Sequence, residues 1–120
     1  MSSEFNGEYG NHLGDWEAMD QVERIKAMEK ILDASRLAVD DLAEAVLAYE
    51  AIQKAYFDLV NYYSSTTWMA DFEDDEQGKL PEDLKRGVLT EDAVYDLITD
   101  HKYLLNRMQQ LILNSMQNDL

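Results

Sequence analysis

The residues best suited to binding a metal form an acidic cluster near the middle of the sequence. Five carboxylates stand within six positions: Asp71, Glu73, Asp74, Asp75 and Glu76. Carboxylate oxygens are the ligands of Ca²⁺ and Mg²⁺. An EF-hand loop beginning at Asp71 has Glu76 in the place of its turn glycine, and one beginning at Glu73 has Leu84 in the place of its last carboxylate. Neither register predicts a calcium loop, so we expect a solvated acidic face beside a helix.

Acidic pairs at helical spacing are a second arrangement with possible chemistry, since all-helical nucleotide pyrophosphohydrolases hold magnesium with such pairs. Glu73 with Glu76 is one candidate pair, and Asp41 with Glu44 is a looser one. The last predicted helix offers only a stack of aspartates four residues apart: Asp92, Asp96 and Asp100. Such a stack is typical of a solvated face. A small metal-dependent hydrolase stays an alternative, without predicted metal ligands.

Groups for nucleophilic catalysis are few. The chain has no cysteine, which also excludes disulfides and thiolate metal sites. His12 lies in a glycine-rich segment, and His101 falls on an apolar stripe, where we expect a packed histidine. The sequence therefore predicts a protein that is not an enzyme, with no catalytic residue and no cofactor.

A basic-leaning patch follows the acidic cluster and is the candidate interaction patch. Its three bases are Lys79, Lys85 and Arg86, and its apolar members are Trp68, Phe72, Leu80, Pro81 and Leu84. One interpretation is a docking site, in which an aromatic anchor and a pair of bases hold an acidic partner. The other is structural: the apolar members close the end of a helix bundle, and the bases offset the nearby acids. Both stay open from the sequence.

The charge balance restricts the partners of this 120-residue chain. Twenty-five acids against 10 bases give a net charge of -15, which disfavours direct binding of nucleic acid or anionic lipid. An acidic inhibitor that mimics nucleic acid in a basic cleft is an alternative function, although residues 21–65 hold eight acids against five bases. The chain shows neither a membrane span nor the features of a signal peptide, so we expect a cytoplasmic protein.

Hydrophobic spacing predicts a long helix over about residues 20–63, which contains no glycine or proline after Val22. Its apolar seam follows a heptad rhythm through Ile25, Met28, Leu32, Ser35, Val39, Leu42, Val46 and Tyr49. The seam then takes one extra three-residue step to Ile52 and continues at Tyr56, Leu59 and Tyr63. Such a step overwinds a coiled coil or marks a bend. Asp20, with Glu23 three residues later, is the predicted N-cap.

Residues 64–90 are predicted to connect two long helices through one or two short ones. The hydroxyls at 64–67 can cap a first short helix, which Gly78 can end in the left-handed conformation. Pro81 suits the first turn of a second, through Leu84 and closed by Gly87. Thr90 is the predicted N-cap of a C-terminal helix over about 91–117. That helix carries apolar residues at three–four spacing, among them Leu97, Leu104, Met108 and Leu111.

The expected fold is all-α: a long antiparallel helical hairpin with coiled-coil-like packing. Because the first helix is longer, part of its stripe would project with Ile25, Met28 and Leu32 uncovered, and a homodimer is the simplest cover. A three-helix bundle bent at the extra step is the alternative. Residues 1–18 are expected to be a flexible extension, and residues 19–120 a single domain.

The segment from Asp75 to Leu97 has an acidic start followed by the pattern G-x-L-P-x-D-L-K-R-G-V-L-S/T-E-D-x-V-Y-D-L. The matching residues are Gly78, Leu80, Pro81, Asp83, Leu84, Lys85, Arg86, Gly87, Val88, Leu89, Glu91, Asp92, Val94, Tyr95, Asp96 and Leu97. This pattern resembles a family of small bacterial all-helical proteins, a domain of unknown function found mainly in low-GC Gram-positive bacteria. The resemblance extends from Met19 and leaves out residues 1–18. It implies a helical domain and supplies no catalytic residue.

The sequence thus favours a non-enzymatic helical protein that acts by binding another protein, as an interaction module or small regulatory adaptor. The partner's identity does not follow from the residues. The acidic inhibitor and the metal-dependent hydrolase are the two alternatives.

Overall fold

A computed structural model describes residues 15–118, and these residues are helical with no strand among them. Three α-helices follow one another: α1 (Gln21–Tyr63), α2 (Thr66–Glu76) and α3 (Ala93–Asn118). Short 3-10 turns precede α1 at Asp15–Ala18 and α3 at Gly87–Leu89. The all-helical class and the long first helix are confirmed. Residues 1–14, most of the predicted extension, lie outside the described residues.

Helix α1 begins where the sequence predicts it. The Asp20 carboxylate accepts a hydrogen bond of 2.9 Å from the Glu23 backbone N–H, which satisfies one of the donors left free in the first turn. The helix then runs without interruption for 43 residues, through the extra step of the seam at Tyr49–Ile52. The seam therefore changes its period without a break in the helix.

A pair of serines separates α1 from α2. The Ser64 hydroxyl donates back to the Val60 carbonyl at 3.0 Å, and the Ser65 oxygen accepts the Trp68 N–H at 3.1 Å. The last residue of α2 is Glu76, and Gly78, two residues later, prevents the helix from continuing. Its φ of 71° is the left-handed conformation that glycine adopts without steric cost. Both the predicted cap and the predicted stop are confirmed.

The prediction of a second short helix at Pro81–Leu84 is wrong. This segment forms only a turn, with the Leu84 N–H bonded to the Pro81 carbonyl at 3.2 Å. The Arg86 guanidinium also donates to the Pro81 and Glu82 carbonyls, both at 3.1 Å, and these bonds hold the turn. The helical turn comes later, and Gly87 begins it rather than ending the predicted helix.

The chain divides into two compact units between Ile52 and Gln53. In the first unit, the described residues are the turn at Asp15–Ala18 and most of α1, and none of them is buried. The second unit holds the end of α1, α2, the connection and α3. Its core is small: Trp68, Leu89 and Val94 are the buried hydrophobic residues of the described chain. The prediction of one domain over residues 19–120 stays a prediction.

Candidate functional site

Trp68 is the centre of the small core of the second unit. Its side chain is 8% exposed, and its indole N–H donates a 2.9 Å hydrogen bond to the Val88 carbonyl. The indole stacks on Phe72 and meets the Tyr63 ring edge-to-face, each at a centroid distance of 5.2 Å. A buried tryptophan with a satisfied N–H is a packing residue. Trp68 therefore packs within the small core of the second unit, with most of its indole covered.

Arg86 holds the connection onto α2. Its guanidinium contacts the Asp75 carboxylate at 2.7 Å, in addition to the two carbonyls of the preceding turn. The two side chains are 29% and 24% exposed, so the pair is partly shielded from water. Charge-assisted bonds in such surroundings are stronger than exposed ion pairs. Arg86 thus acts as a clamp within the chain.

The rest of the candidate interaction patch is divided. Phe72 and Leu80 are half-buried, whereas Pro81, Leu84 and Lys85 are exposed. The Lys79 ammonium lies 3.9 Å from the Asp74 carboxylate, which is a weak ion pair. The structure therefore leaves two lysines, a proline and a leucine at the surface, without the aromatic anchor or the arginine.

Three of the five carboxylates of the acidic cluster make contacts within the chain. Asp71 accepts a 2.6 Å hydrogen bond from the Tyr62 hydroxyl, and Asp74 and Asp75 pair with the two bases just described. The bond to Asp71, followed by burial, raises the pKa of Tyr62 to about 12. In the described part of the chain, no three histidine, cysteine or acidic side chains are grouped to hold a metal ion.

Two features of this region escape sequence reasoning. Tyr62 lies nine residues before Asp71, across the helix break, and no periodicity links them. The Arg86–Asp75 pair spans eleven residues across an irregular segment. Each depends on the path of the chain between helices, which sequence spacing does not give. His101 lies where the sequence places it, half-buried, with its ring 4.7 Å from the ring of Tyr56.

The apolar stripes of α1 and α3 lack cover among the described residues. Helix α1 buries no residue, and Ile25, Leu32 and Leu42 are 53%, 59% and 60% exposed. Helix α3 buries only Val94, and Leu104 and Ile112 are 53% and 57% exposed. Large contiguous apolar surfaces are typical of interaction sites in soluble proteins.

The first unit adds a groove to the α1 stripe. It has a volume of about 440 Å³, and its lining residues are Trp16, Arg24, Ile25, Met28, Glu29 and Leu32. The lining thus combines four apolar side chains with one base and one acid.

None of the described helices combines the length and the apolar character needed to cross a membrane.

Fold and surface together define a small all-helical domain with apolar helix faces open to solvent. The family model described as "Domain of unknown function (DUF4298)" matches residues 25–111, so the chain belongs to this family. The sequence-based resemblance to a helical family of unknown function is confirmed to that extent. Comparisons with curated proteins and with solved structures gave no match.

Proposed function

We propose that this protein is a non-enzymatic interaction module, which acts by burying the apolar faces of its long helices against protein. The observation that carries the proposal is the mismatch between its helices and its core. Two helices of 43 and 26 residues bury between them one side chain, Val94. Fully burying a valine, leucine or isoleucine is worth about 1.5–3 kcal/mol, so covering several such residues offsets a large cost of association.

A helical hairpin alone does not remove the mismatch. Helix α1 is 17 residues longer than α3, as the bounds of the two helices show. An antiparallel α3 with coiled-coil packing would therefore leave one end of the α1 stripe open. A homodimer covers that end with a surface of the same composition, and two-fold dimers are the commonest closed assembly. Dimerisation is accordingly part of the proposal.

The contacts of the acidic cluster and of the patch support binding without catalysis. Asp71 and Asp75 are engaged by Tyr62 and Arg86, and these contacts hold the connection in place. The net charge of -15 disfavours binding to nucleic acids and anionic membranes and favours solubility. We place the protein in the bacterial cytoplasm. The binding surface is then the helix faces, with the exposed lysines of the connection at most at their edge.

Neighbouring residues of α3 provide a matched test. Leu105 belongs to the apolar stripe and is 41% exposed, whereas Asn106 lies on the polar face. Leu105→Asp and Asn106→Asp each add one negative charge at almost the same place. Chemical cross-linking and co-purification from cells expressing each variant should recover the same protein partners of the α3 face with the wild type and Asn106→Asp.

With Leu105→Asp we expect those partners to be lost. Circular dichroism would verify that the variant keeps its helices. Recovery of the same partners with all three proteins would contradict a function exerted through the helix faces.

A further inference from the structure

The first half of the α1 stripe has the residue pattern of a two-stranded parallel coiled coil. With Ile25 at position a, the a positions are Ile25, Leu32, Val39 and Val46, and the d positions are Met28, Ser35, Leu42 and Tyr49. Three of the four a residues are β-branched. β-Branched residues at a, combined with leucine at d, favour two parallel strands. Three of the four a layers follow this pattern, and Leu42 follows it at d.

The charges at the edges of the stripe include one complementary pair in the parallel arrangement. In a parallel pair, a g residue of one helix faces the e residue five positions later on the other. Arg24 at g would then face Glu29 at e of the second copy, and the two-fold axis gives this pair twice. An antiparallel pair brings g next to g and e next to e. Its e residues include the opposite charges of Glu29 and Arg36, but its g residues include no acid to face Arg24: they are Arg24, Ile31, Ala38 and Ala45.

The apolar residues of the stripe and the charged residues beside them lie at the surface of α1. Arg24 and Glu29 line the same groove as Ile25, Met28 and Leu32. The Arg24 side chain is anchored by a 3.2 Å bond to the Met19 carbonyl, which fixes its position at the edge. Further along, Val39 and Leu42 are 53% and 60% exposed. Small Ala38, Ala43 and Ala45 flank the seam there and let a second helix approach closely.

The long-range charge also favours α1 as the site of self-association. Residues 21–65 hold eight acids and five bases, a net of only -3 out of -15 for the chain. Two copies joined along α1 therefore bring together a weakly charged part of the molecule, and at physiological salt the remaining charge is screened beyond about 8 Å.

We infer that the occupant of the α1 stripe is a second copy of this chain, aligned parallel and in register between residues 25 and 49. The inference rests on the proposed interaction function and deepens it by naming the partner, the segment and the orientation. Each a and d residue then faces its own counterpart across the two-fold axis.

The absence of natural cysteine makes single-cysteine cross-linking a direct test. Ser35→Cys is nearly isosteric at a d position, and Leu42→Cys lies one heptad later, about 10.5 Å along the helix. Glu44→Cys is the control, because it lies on the outward face of the same turn. Under mild oxidation of the full chain, we expect Ser35→Cys and Leu42→Cys each to form covalent dimers, and Glu44→Cys to remain uncross-linked.

Two other outcomes would overturn the inference in distinguishable ways. In an antiparallel dimer only one position can lie at the two-fold axis, so at most one of the two variants would cross-link alone. A dimeric mass by light scattering with that pattern, or with no cross-link, rejects the parallel register and leaves the interaction function standing. A monomeric mass for the uncross-linked protein at every concentration rejects the second copy as the occupant.

Discussion

At the scale of single residues, the second unit depends on a few side chains that tie its helices together. Trp68 lies in its core, Tyr62 joins α1 to α2, and Arg86 holds the connection on α2. Two of these three contacts involve acids of the cluster that first suggests a metal site. The same carboxylates therefore tie α2 to the end of α1 and to the connection.

Truncation of the core indole should be far more costly than truncation of its neighbour. Trp68→Ala is expected to lower the free energy of unfolding by about 3–5 kcal/mol, because it leaves a cavity and frees the Val88 carbonyl. Met69→Ala, at a residue that is 51% exposed, should cost less than about 1 kcal/mol. Urea denaturation followed by circular dichroism would measure both. Equal losses would show that Trp68 is not a core residue.

The Tyr62–Asp71 bond predicts a loss of stability at alkaline pH. The pKa of Tyr62 rises from 10.0 in the unfolded chain to about 12 in the fold. Because the folded value is the higher one, the contribution is complete below about pH 10 and disappears as the pH rises toward 12.

Tyr62→Phe should therefore cost about 1 kcal/mol at neutral pH and remove the most alkaline step of the tyrosine absorbance titration. Tyr95→Phe, at a tyrosine that is 60% exposed, is the control and should leave that step in place. If Tyr62→Phe titrates like the wild type, the bond does not form in solution.

At the scale of helices and turns, local chemistry determines most boundaries. Asp20, Ser65 and Thr90 each cap a helix through a side-chain oxygen; the Thr90 hydroxyl accepts the Ala93 N–H at 3.3 Å. Each cap involves residues three positions apart, so the sequence alone indicates it. Gly78 likewise ends α2 through its own backbone conformation.

The stop at Gly78 can be tested against the second glycine of the connection. An added Cβ meets no atom within 4 Å at either Gly78 or Gly87, so packing contributes nothing. Only Gly78 has a positive φ, and Gly78→Ala should therefore destabilise the protein by about 1–2 kcal/mol. Gly87→Ala should be near neutral in the same thermal or urea unfolding experiment. Similar effects of both substitutions would contradict the left-handed conformation at Gly78.

What the sequence could not predict depends on contacts across irregular segments. The Pro81–Leu84 segment carries good helix-start signals but forms only a turn, whose Pro81 and Glu82 carbonyls accept hydrogen bonds from the Arg86 side chain. In the candidate patch, Trp68 and Phe72 have the composition of a docking anchor and the positions of packing residues. Composition identifies such residues, whereas only the path of the chain decides whether they face inward.

At the scale of the whole molecule, the described chain has more apolar helix surface than core. Its three buried hydrophobic residues all lie in the second unit, and the stripes of α1 and α3 remain open. A protein with this distribution gains stability by association, since each covered side chain adds hydrophobic free energy. Its folding and its function are then linked through the same surfaces.

Charge reversal at the edge of the α1 stripe should control the association. Glu29→Arg sets Arg24 of one copy against a new arginine of the other and should weaken the dimer by about 1–2 kcal/mol, more at low salt. Combining Arg24→Glu with Glu29→Arg restores opposite charges and should recover the affinity. Glu44→Arg makes the same change on the outward face and is the control. Equal affinity of the Glu29→Arg and Glu44→Arg variants in sedimentation experiments would contradict the parallel pairing.

The open helix faces of the described chain should be covered by a second copy. The most direct measurement is the solution mass of the full chain by multi-angle light scattering, at two protein concentrations and in low and moderate salt. We predict a mass near twice 13.9 kDa under all these conditions, with more complete dimerisation in moderate salt. A stable mass of 13.9 kDa throughout would contradict the claim, because the stripes would then need no second copy.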